Sequence, residues 1–277
     1  MHDETQIYLV FKDEIVHFNS LFDGGIKIVS VGPSSPEPVY NFEEFEGTNG
    51  KRLSNLSYTG FPFALSFRLK TESHYDWHLV ATELRSLLYR DEPYYIITTR
   101  EPGKQYRVLP APWDLHRFMM TAGVYTVEFD VFEGHSESIE TSLSQFSETD
   151  SWQFSQGLVT EDYEYTHTAN KHVIFNAGDF PVDPRESYLK IKIEGMSDGN
   201  LTIFNKRTGE RFIYRGTLHS NRGEVLTLDR VYPLKNGVHC GLDTNHGLIT
   251  LLPGENQIEV SNVSRLKISW DFRFLYK

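Results

Sequence analysis

The chain has 277 residues, 39% hydrophobic and 14% aromatic, with 27 basic and 38 acidic side chains and a net charge of −11. That length supports one large domain or two ordinary ones without cross-links, and the surplus of acid argues against a surface built to grip nucleic-acid phosphates. A single cysteine, Cys240, excludes an internal disulfide and a cysteine-based zinc cluster.

The first residues, MHDETQIYLVFKDE, are charged at once and carry no apolar core of a signal peptide. No apolar run reaches the roughly 20 residues of a membrane helix, so no membrane partner is expected. One helix stands out upstream. In SHYDWHLVATELRSLLYRDEP, Trp77, Val80, Leu84, Leu87 and Leu88 share a helical face, Ser73 and Asp76 have the spacing of a cap, and Pro93 stops the run. YYIITT and QYRVLP follow as strands joined by REPGK, a hairpin with Pro102-Gly103 at its tip. In VYTVEFDVFE, Tyr125, Val127, Phe129 and Val131 alternate as one face of a strand.

Residues 134–165 are rich in Ser, Thr and Glu and hold no Lys or Arg. Such a stretch buries little, which predicts a domain boundary near residue 137 and a linker over 138–165. Beyond it the pattern is almost wholly strands. Leu189, Ile191 and Ile193 alternate with charged residues, GNLTIFNKRTGERFIYRG reads as two strands about a Thr-Gly turn, and Leu266 to Tyr276 alternate to the end. Between the apolar runs of LITLLPGENQIEV, Pro253 to Asn256 have the chemistry of a turn, with Ile249, Leu251, Ile258 and Val260 as flanking strand positions. Short regular strands with Gly, Asn and Pro turns indicate a β-sandwich.

Candidate chemistry is sparse. His74 and His78 have the spacing of a zinc helix, but the glutamate of that motif is replaced by Tyr75 and the residues read first as ordinary helix-end histidines. His167 and His172 flank a loop near Asp162 and Glu164, where a cation site competes with plain loop polarity. Asp183, Asp243 and Asn245 read as turn makers, and Glu43 and Glu44 as neighbours without a catalytic separation. Asn55, Asn200 and Asn262 match the glycosylation sequon by chance, given no secretory route. There is no G-x-S-x-G, phosphate loop or dinucleotide fingerprint. Trp152, Tyr163 and Tyr165 are candidates for stacking on sugar if they are exposed, and for core if they are not.

The segments FNAGDFPVDPRESYLKIKIEG, IFNKRTGERFIYRG, LDTNHGLITLLPGENQIEV and ISWDFRFLYK resemble, in order and content, the C-terminal domain of the distal tail protein (Dit) family of siphophages that infect Gram-positive bacteria. WHLVATELRSLLYRDEPYYIITTREPGKQYRV is similar to the helix and hairpin of that family's N-terminal domain, and HSES falls at its domain junction. The resemblance implies a mainly β protein. Residues 1–137 would be a belt domain, a β-sandwich with one helix and an extended hairpin. Residues 138–165 would link it to a galectin-like β-sandwich over 166–277. It implies a homo-hexameric ring in the virion tail tip, joining the tail tube protein to the tail-associated tip protein and supporting receptor-binding or baseplate proteins, with DNA passing through unbound. It implies no catalytic residues and no cofactor. A galectin-like fold does not by itself confer sugar binding.

A ring needs head-to-tail contacts, which exposed hairpins and sheet edges supply. The residues expected to make them are Pro102 and Gly103 at the hairpin tip with Tyr94, Tyr95 and Tyr106 on its strands. Residues 1–137 hold 12 basic and 20 acidic side chains against 15 and 18 in the rest. Surplus carboxylates around a bore would help keep a duplex from sticking. The alternatives are a carbohydrate-binding module for the host cell wall and, behind it, a hydrolase of wall polymers.

Overall fold

The structure is a computed structural model that describes residues 5–47, 49–71, 73–112, 122–144 and 163–277. It divides into two compact units, Met1–Ser136 and Glu137–Lys277. Both are mainly β.

In the first unit the strands are β1 (Ile7–Val10), β2 (Ile15–His17), β3 (Ile26–Pro33), β4 (Pro38–Glu43), β5 (Arg52–Tyr58), β6 (Phe61–Lys70), β7 (Tyr94–Thr98), β8 (Lys104–Pro110) and β9 (Ala122–Val131), with α1 (His74–Leu88) between β6 and β7. The main sheet runs β2-β1-β7-β8-β9-β6-β3. Strand β8 pairs with β7 through Gln105–Val108 and with β9 through Leu109–Pro110, so it passes from one side of the core to the other. Alternation does the folding here. Phe63, Leu65 and Phe67 on β6 sit opposite Phe129, Val127 and Tyr125 on β9, and all six are buried.

Helix α1 lays its apolar stripe on this core. Trp77, Val80, Leu84 and Leu88 are buried and Leu87 is partly covered. Each fully covered side chain is worth about 1.5–3 kcal/mol relative to exposure. The start is fixed by Ser73, whose Oγ accepts from the Asp76 amide at 3.3 Å and donates to the Asp76 carboxylate at 2.6 Å.

In the second unit β10 (Ser136–Ser138), which begins just before the boundary, is followed by β11 (Thr166–His167), β12 (Lys171–Asn176), β13 (Leu189–Ser197), β14 (Leu201–Asn205), β15 (Arg211–Tyr214), β16 (Leu218–His219), β17 (Leu226–Asp229), β18 (Tyr232–Lys235), β19 (Val238–His239), β20 (Gly254–Ser261), β21 (Ser264–Phe272) and β22 (Leu275–Tyr276). One sheet has the order β11-β21-β13-β17-β18-β19 and the other β12-β20-β14-β15. Leu189, Ile191, Ile193, Ile268, Trp270 and Phe272 from the first meet Ile174, Leu201, Ile203, Ile258 and Val260 from the second in one core.

The segment expected to link the domains is in part built into the second unit. Ser138 and Ser142 are buried. The Ser138 amide donates to the Phe274 carbonyl at 2.8 Å, and the Phe274 amide donates to Ser138 Oγ at 3.1 Å. The Ser142 amide donates to the Phe272 carbonyl at 2.9 Å, its hydroxyl to the Trp270 carbonyl at 2.7 Å, and the Phe272 amide donates to Ser142 Oγ at 3.1 Å. Residues 145–162 lie outside the described residues.

The Pro253–Asn256 stretch does more than turn the chain. Gly254 takes a positive φ of 85° and opens β20. Asn256 is fully buried, and its amide nitrogen donates to the carbonyls of Leu252 at 2.7 Å and Gly254 at 3.0 Å. Its oxygen accepts from the Leu252 amide at 3.0 Å and from Asn205 at 3.2 Å. Residues 249–252 are not a regular strand, unlike the alternation they show in sequence. The Thr250 amide is taken by Glu210 Oε2 at 2.6 Å and the Leu252 amide by Asn256 Oδ1, while Leu251 between them keeps a backbone bridge to Val182.

Candidate subunit interface

Of the five residues expected at an interface, the structure buries three, Tyr94, Gly103 and Tyr106. Tyr94 and Tyr106 are almost wholly covered in the first unit's core. Tyr94 donates its hydroxyl to the Leu88 carbonyl at 3.0 Å and Tyr106 to Glu101 Oε2 at 2.5 Å. Burial pushes both phenols above their ordinary value, with Glu101 adding to the shift at Tyr106. Gly103 is buried at a φ of 87°, while Pro102 and Tyr95 are half-buried. The hairpin β7–β8 is thus largely an internal element.

A different hairpin is bare. Strands β4 and β5 form a separate two-stranded sheet, and every described residue on both is exposed. It extends the β3–β6 pair. The Ser34 amide reaches the Pro62 carbonyl at 2.8 Å and the Thr59 amide the Glu37 carbonyl at 3.1 Å, carrying the ribbon across Pro33, Pro36 and Pro38. At its base Gly60 is required: a Cβ there would lie 2.8 Å from the Val131 carbonyl oxygen and 2.9 Å from Phe132 Cα.

The ribbon is two-faced. Tyr40 pairs with Leu56, Phe42 with Leu53 and Pro38 with Tyr58, while Asn41 pairs with Asn55, Val39 with Ser57 and Glu43 with Arg52. Directly opposite residues share a face. One face therefore carries Tyr40, Phe42, Leu53, Leu56 and Tyr58, each between 41% and 54% exposed, and the Tyr40 and Phe42 rings stack at 6.0 Å. The other face is polar apart from Val39. A two-stranded ribbon alone is at best marginally stable in water, and an apolar face of five large side chains marks a contact surface. The Lys51–Glu44 pair at its tip, 2.7 Å apart but mostly exposed, adds little. The sequence signal was present: Gly-Thr-Asn-Gly lies between runs in which Tyr40 and Phe42, then Leu56 and Tyr58, recur at a spacing of two.

The other candidates resolve differently. Among the described residues no three His, Cys, Asp or Glu side chains come together to hold a metal. His78 is exposed, and the His74 side chain lies outside the described residues. His167 and His172 stack face to face, centroids 4.4 Å apart. His172 Nδ1 donates to the Ala169 carbonyl at 3.0 Å, and its Nε2 accepts from the Trp270 indole at 3.3 Å. Burial lowers the His172 pKa to about 4 and lowers that of His167. Tyr165 is core, with its hydroxyl on the Phe175 carbonyl at 2.9 Å, and Tyr163 lies flat on Phe175 at 4.2 Å. Trp152 and Asp162 lie outside the described residues. Asn245 is a turn maker as expected, its Oδ1 accepting from the amides of Ile213 and Gly247.

Residues 14–131 match the family described as the phage tail protein RIFT-related domain. That match lies within the first unit. The fold likeness extends through both units: the crystal structure of SPP1 Dit, described as a paradigm of the hub adsorption apparatus in phages infecting Gram-positive bacteria, matches with a TM-score of 0.69, covering 97% of this chain and 99% of that one at 11% identity. The distal tail fold expected from sequence is thus present. Two structures of the phage p2 baseplate in its activated conformation, with calcium and with strontium, match at 9% identity. They cover 98% and 97% of this chain, and the same share of theirs, with TM-scores of 0.43, too low to argue from. No curated protein matches the sequence. The family match and the shared fold support a structural role in a phage tail.

Proposed function

We propose that this protein is a structural hub of a siphophage tail tip. Six copies close into a ring that joins the tail tube protein to the tail-associated tip protein, and the outer sandwich carries receptor-binding or baseplate proteins. The observation that carries the reading is the apolar face of the β4–β5 ribbon. A closed ring needs one surface of each copy committed to a different surface of the next. Covering five half-exposed side chains would contribute about 1 kcal/mol each, roughly 5 kcal/mol per ribbon. Tyr95 and Pro102, both half-buried, are the parts of the other hairpin still placed to share in such a contact. DNA passes through the bore without specific binding, and the acid surplus of the first 137 residues serves that passage. No group in the protein is assigned a catalytic task.

The test is mass in solution, alone and with the tube and tip proteins, for the wild type and for Phe42→Glu/Leu56→Glu. The wild type is expected to form particles near six times 32.1 kDa and the variant to remain a folded 32.1 kDa monomer. A variant that assembles like the wild type would refute the ribbon contact. A wild type that stays solitary with both partners, and is missing from purified tails, would refute the hub.

A further inference from the structure

The second unit holds a cavity that the ring reading does not use. It has a volume of about 140 Å³ and is lined among others by Leu189, Ile191, Phe212, Leu228 and Ile249, with Arg230 and His246 also on its wall. The five apolar residues are buried core positions of both sheets. The slot therefore reaches into the sandwich, and an apolar cavity of about this size accepts a benzene-sized ring.

The polar part of the wall differs from the floor. The Arg230 amide donates to the Leu189 carbonyl at 2.9 Å, but its exposed guanidinium has no hydrogen bond or ion pair among the described residues, although its neighbour Asp229 is paired with Lys190 at 3.3 Å. A guanidinium fork left open beside an apolar slot is a receptor for a carboxylate. His246 supplies a second ring of polar atoms. Both residues hold left-handed backbone, with φ of 53° at Arg230 and 55° at His246. At Arg230 this is the conformation that the two-residue β17–β18 turn calls for. Exposed Val231 stands on the same wall, so the mouth opens to solvent.

We infer that this slot binds a single apolar ring bearing a carboxylate, with the ring among Ile191, Phe212 and Leu228 and the carboxylate on Arg230. The same chemistry is offered by a free aromatic acid and by a peptide chain ending in phenylalanine.

Three probes test it on the full chain: phenylacetate, its neutral counterpart 2-phenylethanol, and an acetylated tripeptide ending in phenylalanine with a free carboxylate. Binding is followed by amide and methyl chemical shifts. Phenylacetate is expected to saturate near millimolar concentration and to move signals of Leu228, Arg230 and His246. 2-Phenylethanol should bind about tenfold more weakly, as should phenylacetate to Arg230→Asn, a change that removes the charge but tolerates the left-handed turn. Val231→Trp should plug the mouth and abolish binding while leaving the melting temperature unchanged. Tighter binding of the tripeptide than of phenylacetate identifies a chain terminus as the source, and weaker binding a free acid. No saturable shift at these residues in folded protein, equal binding of the neutral probe, or full binding to a folded Val231→Trp variant would overturn the inference. None of these outcomes depends on whether the protein forms a ring.

Discussion

Acid should loosen the second unit through His172. In the folded protein its imidazole is locked neutral, with Nδ1–H on the Ala169 carbonyl and Nε2 holding the Trp270 indole proton. A second proton has no place without breaking the indole bond, and it would set a cation against the His167 ring 4.4 Å away. Burial, the Ala169 bond and His167 together leave the pKa at about 4, burial being the largest cause, against about 6.5 in an unfolded chain. Because the folded value is the lower one, the unfolded state takes up the proton first as pH falls. The stabilisation is complete above about pH 6.5 and is lost progressively down to about pH 4. The gap corresponds to at most about 3 kcal/mol, and about 2 kcal/mol once partial solvent access is discounted. Burial also lowers the His167 pKa, against the upward pull of Glu164, and adds to the effect. Urea unfolding of the wild type and His172→Gln between pH 4 and 7.5 measures it. The wild type's advantage over the variant should shrink by about 2 kcal/mol towards pH 4. Equal pH slopes for the two proteins, or a His172 resonance titrating near 6.5, would refute the reasoning.

Three further outcomes follow from the packing. Asn256→Ala strips partners from the Leu252 amide and from Asn205 inside the core and should cost about 2–4 kcal/mol in urea unfolding of the second unit. Ser73→Ala removes the α1 cap and should cost about 1 kcal/mol, whereas Lys51→Ala at the ribbon tip should change stability by less than about 0.5 kcal/mol. Gly60→Ala forces a Cβ onto the Val131 carbonyl and should destabilise the first unit by about 1–3 kcal/mol, visible as a lowered melting temperature.

Where one side of an element faces core, the sequence was readable. The period of Trp77, Val80, Leu84 and Leu88 and the alternation from Tyr125 to Val131 both state which side is covered. The resemblance likewise anticipated the phage tail match and the distal tail fold. What stayed hidden was set by tertiary placement. Tyr94 and Tyr106 flank a turn, and only the fold shows that their rings point inward. Asn256 has turn chemistry, and its burial depends on Asn205 and the Ile174 carbonyl, 51 and 82 residues away. The β4–β5 ribbon could have been read from its own alternation, but its importance lies in being left uncovered, which no local pattern records. Ser138 and Ser142 look like linker because hydroxyls are polar, whereas here they complete the bonding of Phe272 and Phe274.

That serine-rich stretch has a wider consequence. Strand β10, on which the chain comes into the second unit, pairs with β22, so the first and last described strands of that sandwich are neighbours. A module with adjacent ends can be excised, exchanged or grafted into a surface loop of another protein without restringing its sheets.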